Sequence, residues 1–457
     1  MAKKISELFM NSLFEYDSYT CKFEKDIENV APDQPPRTTL KLIAQHNQPI
    51  HFSYAPQKGL NLSGTAGGIL SENILGKLLA IPDGDIDAHI AFFTDYGFLY
   101  PVSETEYEAV EADALMEFVN RIKATVTLVN SIAAKKNYTN ILIGTAYLLY
   151  AEPITMHLST GEYSTCVHEF TNLVHNYSQF PDMQRNQEVF DTNKFSVEDT
   201  LFPPSYQVDI GYFNQVRSST GAGELQWFKN LFAMYTGLPD VSKELRTIID
   251  FFFHYQKEVG VFSTIEYKKI RYLNGKQPDN FSDEMKTALL KIANIVLSEE
   301  INYNIAGIHP RYSSFDLKPT WKLDNLIQAL YFSIFYMKPG VEIYKRCKNP
   351  TCKRDVYFLV NATATNKEYC CPKCANAAAQ RRSRERKLSQ KSKWAVIIIT
   401  IGTAFFSLSC KTWFHSRLPG DSAPLSTAAS FPSDRIRRPG RHPCRTQRSA
   451  HRGHGRR

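Results

Sequence analysis

Cys347-Lys-Asn-Pro-Thr-Cys352 is followed, seventeen residues later, by Cys370-Cys371-Pro-Lys-Cys374. Two close pairs of thiols at this separation supply the four soft ligands that tetrahedral Zn²⁺ takes in structural sites. Five of the chain's nine cysteines fall between positions 347 and 374. A disulfide framework would spread its cysteines through a small secreted domain; this clustering reads as metal binding in a reducing compartment. The expected ligands are Cys347, Cys352, Cys374 and one of Cys370 and Cys371. Either of the adjacent pair can close on the ion. The competing reading is a set of reduced structural cysteines without metal.

Working outward, Asn349-Pro350 is turn chemistry between the first pair. Asp355-Val-Tyr-Phe-Leu-Val360 is β-branched and aromatic, and the polar 361–366 segment after it predicts a short hairpin. Ala375-Asn-Ala-Ala-Ala-Gln-Arg-Arg has strong helix propensity. Turn, hairpin and a helix opening at the second pair is the order of a treble-clef finger. Lys345, Arg346, Lys348, Lys353, Arg354 and Lys373 surround the cysteines and would favour thiolate over thiol.

At these residues the sequence resembles the CGNR-type zinc finger, found at the end of bacterial proteins described as transcription regulators. The likeness rests on Cys347, Pro350, Cys352, Phe358, Tyr369-Cys370, Cys374-Ala375-Asn376-Ala377 and the arginines that follow. Ala375 and Ala377 stand where the family carries Gly and Arg, and Cys371 is an extra thiol. The resemblance implies Cys370 as the fourth ligand and Zn²⁺ as the cofactor. It also implies a bacterial, cytoplasmic protein that binds DNA.

The charge distribution agrees with that expectation. Residues 1–380 carry a net charge of −7, whereas 381–393 carry +6. Arg381, Arg382, Arg384, Arg386 and Lys387 lie on the predicted helix and are the candidate nucleic-acid contacts. At helical spacing they spread around most of the circumference, which suits sequence-tolerant phosphate contact better than base reading. A solvated helix end is the bland alternative.

The rest of the chain predicts an α+β, mostly helical body. The expected divisions are an N-terminal α+β region over 1–185, a loop or linker over 186–225 and a helical region over 226–340. The four-cysteine finger with its basic helix takes 341–393. Residues 104–136 give the clearest helical pattern, with Leu115, Val119, Ile122, Val126 and Val129 at alternating four- and three-residue spacing. Further helices are expected over 242–258, 282–299 (with Ser282 as N-cap) and 322–337. Ile50–Tyr54 reads as a strand. The body would sense a ligand or form a homodimer.

Trp394 to Cys410 is an uncharged apolar run, short for a membrane span. A membrane anchor through 394–410 is the alternative to a cytoplasmic protein. Residues 411–457 read as a disordered basic tail of net charge +9. Their switch from Lys to Arg is what a frameshift or read-through would produce. There is no apolar stretch of signal-peptide length at the N-terminus. His168-Glu169 lacks the second His of a zincin motif, and His168 reads as a satisfied or surface histidine. Gly64-Thr-Ala-Gly67-Gly68 lacks the Lys-Ser/Thr of a P-loop. No paired-carboxylate or nucleophile motif is present, so no catalytic residue is assigned and an enzyme is not expected.

Overall fold

The computed structural model describes residues 14–28, 37–55, 59–63, 69–133, 136–179, 226–237, 241–273, 281–312, 319–337, 341–352, 356–364 and 366–390. The expected linker over 186–225, the apolar run 394–410 and the basic tail 411–457 lie outside the described residues. Residues up to Ser383 belong to one compact unit and those from Arg384 onward to a second.

The described chain starts with a five-stranded antiparallel sheet. Strands β1 (Phe14–Glu28), β2 (Arg37–Ala55), β3 (Gly59–Ser63) and β4 (Ile69–Asn73) pair in order, and β5 (Glu108–Glu111) also pairs with β2. Alternation explains the pleat: Phe14 and Tyr16 are buried while Glu15 and Asp17 face out. The register slips between Tyr19 and Cys21, a bulge that bends this long pair.

Helices α1 (Ile74–Ala80) and α2 (Ile86–Tyr96) follow the sheet, and α3 (Ala112–Ala133) follows β5. The predicted helix over 104–136 is therefore shorter at its start. Its first part is a loop and a strand, because Val110 pairs with Leu40 and Glu108 is buried. The Glu108 carboxylate accepts from Ser103 N at 2.6 Å, Ser159 N at 2.7 Å and Ser159 Oγ at 2.8 Å. Those bonds satisfy a buried carboxylate that would otherwise be costly to desolvate.

Next come α4 (Tyr138–Tyr150), the hairpin β6 (Thr155–Leu158) and β7 (Gly161–Ser164), α5 (Glu169–Gln179), α6 (Gln226–Gly237) and α7 (Lys243–Glu258). The hairpin β8 (Phe262–Glu266) and β9 (Lys269–Tyr272) precedes α8 (Asp283–Asn304), β10 (His309–Tyr312), β11 (Pro319–Lys322) and α9 (Leu326–Phe335). The expected cap on α8 is present: Ser282 Oγ accepts from Met285 N at 3.2 Å. Ser242 caps α7 in the same way, accepting from Leu245 N at 3.1 Å. Helix α9 starts at Leu326, later than the pattern over 322–337 suggests, because Asn325 caps it and Pro319–Lys322 pairs as a strand.

Two apolar cores result. One joins the sheet to α1, α2, the first half of α3 and α9; the other joins the end of α3 to α4, α6, α7 and α8. Helices and strands share the body.

The candidate metal centre

Strands β12 (Glu342–Arg346) and β13 (Tyr357–Asn361) form an antiparallel pair, with Lys345 opposite Phe358. The first cysteine pair lies in the connection between them. This differs from the expected hairpin: 357–361 pairs backward with 342–346 instead of forward across the 361–366 turn. Phe358 and Val360 are buried with Cys347 and Cys374 in a third small core, and the backward pairing puts them there. Helix α10 then runs over 372–390.

The Sγ atoms of Cys347, Cys352, Cys370 and Cys374 all lie within 4.8 Å of one another and could hold a metal ion. Cys370 Sγ is 3.6 Å from Cys352 Sγ and 3.6 Å from Cys374 Sγ. Four sulfurs at about 2.3 Å from one tetrahedral ion sit about 3.8 Å apart, so these spacings fit a shared centre. Of the adjacent pair, Cys370 belongs to this group. Cys371 Sγ is 3.8 Å from that of Cys370 but lies outside the four.

Local bonds fix the ligand loops. Cys352 N donates to Asn349 O at 3.0 Å and Cys347 N to Val356 O at 2.7 Å. Asn349 is buried, and its Nδ2 donates to Cys374 Sγ at 3.4 Å, which ties the first loop to the second. Its Oδ1 accepts from Thr351 Oγ1 at 3.2 Å. The sequence marked Asn349 only as a turn residue; its hold on a sulfur 25 residues away was not legible there. Lys348 N donates to Glu368 O at 2.9 Å, a second tie between the loops. Burial, and then the neighbouring thiols of Cys374 and Cys352, push the Cys370 thiol far above its usual range. A cation among the four removes that penalty, since thiolates ligate and thiols do not. Of the cations expected around the cysteines, Lys353 and Arg354 lie outside the described residues.

The candidate nucleic-acid residues fall on α10. Arg382, Arg384, Arg386 and Lys387 are exposed. Arg381 is half-buried, and its Nη2 donates to Thr351 Oγ1 at 2.8 Å, so this arginine braces the first ligand loop. Arg384, Arg386 and Lys387 belong to the second compact unit.

The β12–β13 pair is joined to the body. Tyr344 is buried, its N–H donates to Asn130 Oδ1 at 2.9 Å, and its hydroxyl donates to Asn73 Oδ1 at 3.2 Å. Gly76 lets α1 approach β13, because a Cβ there would meet Tyr357 O at 2.5 Å. No helix among the described residues is long and apolar enough to cross a membrane.

No family model matches the chain, and neither a curated protein nor a solved structure matches it. The likeness to the CGNR-type finger rests on the residues quoted above.

Proposed function

We propose that this is a zinc-binding protein of the CGNR type, a DNA-binding transcriptional regulator of the bacterial cytoplasm rather than an enzyme. The observation that carries the reading is the convergence of four sulfurs from two separate loops. The next element, α10, exposes Arg382, Arg384, Arg386 and Lys387. Zinc would fold the finger, and these four side chains would meet phosphates.

The test uses the zinc-loaded full chain and a short DNA duplex in a shift assay at two salt concentrations. Binding should weaken as salt rises, with a log–log slope that drops by about 0.9 for each phosphate contact removed. Replacing those four side chains with Ala should flatten the slope without changing the zinc content. No binding at low salt overturns the proposal.

A second reading has its own support: zinc only staples the end of the body and serves no partner. The contacts of Tyr344 with Asn130 and Asn73, and of Arg381 with Thr351, favour it. On that reading zinc removal lowers the melting temperature and the four-alanine variant has no binding phenotype.

A further inference from the structure

We propose that Cys166 Sγ, His168 Nε2 and a Glu300 carboxylate oxygen form a second, buried site for a divalent cation of the zinc class, independent of the four-cysteine finger.

The three ligand atoms lie within 4.8 Å of one another, and their residues are 4%, 1% and 1% exposed. Cys166 and His168 sit in the short segment between β7 and α5. Glu300 comes from α8, far along the chain. A thiol, an imidazole and a carboxylate make a mixed S/N/O donor set that zinc accepts.

The orientation of His168 carries the argument. Its Nδ1 is 2.5 Å from Glu299 Oε2, so the adjacent carboxylate fixes the tautomer that leaves Nε2 to ligate. Nε2 lies 3.2 Å from Glu300 Oε2 yet makes no well-directed hydrogen bond to it. A separation of that size is what two ligands, each about 2.0–2.1 Å from one ion, would show.

Glu300 is held in the same way. Its Oε1 accepts from Tyr331 Oη at 2.9 Å. Arg121 stands at 3.4 Å from Oε1 and 3.3 Å from Oε2, long for a charge-assisted pair. The tightest bond of Arg121 goes to Cys166 O at 2.8 Å, so it fixes the ligand segment as well as balancing charge. Glu117 lies 3.7 Å from its Nη1 and shares that cation.

The ion would pin the 165–168 segment to α8.

The test is Co²⁺ titration and metal analysis of the full chain carrying C347S and C352S, which removes the finger's centre. This chain should still bind one equivalent of Co²⁺, with visible absorption from a single thiolate, and lose it on adding H168Q. In the unaltered chain, C166A should lower the metal content from about two equivalents to about one and leave the four-thiolate Co²⁺ bands intact. That second arm serves if the C347S/C352S chain does not fold. One equivalent in the unaltered chain, unchanged by C166A, overturns the proposal, as does a folded C347S/C352S chain that takes up no Co²⁺. Loss of the four-thiolate bands alone would count against the finger and not against this site.

Discussion

The side-chain amide of Asn130 holds both main-chain polar groups of Tyr344, 214 positions later in the chain. Asn130 Oδ1 accepts from Tyr344 N at 2.9 Å, and Asn130 Nδ2 donates to Tyr344 O at 3.2 Å. One side chain of α3 thus acts as an extra strand for β12, close ahead of the first ligand cysteine. The N130A variant leaves two main-chain groups without these partners. It should lower stability by about 2–3 kcal/mol, read as a lower melting temperature. Amide exchange at Tyr344 should accelerate more than exchange in α7, which takes no part in these two bonds. Equal effects in both places would mean that Asn130 supports the body and not the finger.

The two adjacent thiols separate by substitution. C370S should abolish zinc binding at the finger, because it removes a sulfur 3.6 Å from two others. C371S should retain the finger's zinc. Metal analysis of the two variants decides the assignment. Chelation of the native chain should expose Phe358 and Val360, which are buried in the small core formed with the cysteines.

Asp83 gives a pH-dependent prediction away from any cysteine. Its carboxylate is 2.6 Å from Lys268 Nζ and 3.4 Å from the nearly buried Lys123 Nζ. Burial alone would raise its pKa, but Lys268 and then Lys123 outweigh burial and hold the carboxyl below its ordinary 3.8. A depressed carboxyl adds stability that is present above pH 3.8 and is lost as pH falls through the folded value. Solvent reaches Asp83, whose side chain is 43% exposed, and screens both pairs. D83N should therefore be less stable than the native chain near neutrality by only about 0.5–1.5 kcal/mol, mostly because Lys123 loses its counter-charge. The gap should narrow on acidification below that point. Urea melts of both chains at pH 7 and pH 3 measure it, and a gap that widens in acid contradicts the assignment.

Local signals were legible where one segment satisfies itself. Ser282 caps α8 because a short hydroxyl reaches an amide three residues ahead, whatever the rest of the chain does. The apolar spacing of Leu115, Val119 and Ile122 marked the buried face of α3 for the same reason. The start of that helix was not legible, because Glu108–Glu111 is made a strand by its pairing with residues 39–42. The backward pairing of β13 with β12 failed the same way: a strand does not encode its partner. The cysteine group was readable because ligand pairs close in sequence must be close in space.

The candidate sulfurs, the basic run after them and the start of α8 could all be read from the order of residues, since each depends on neighbours within a few turns. The spacing left either of the two adjacent thiols open, the resemblance implied Cys370, and the folded chain groups Cys370 with the other three; which strand β13 pairs with came only from the folded chain. So did the hold of Asn130 on Tyr344 and the meeting of His168 with Glu299 and Glu300. Those contacts join segments tens to hundreds of residues apart, and burial of the cores on both sides of α3, not local preference, brings them together.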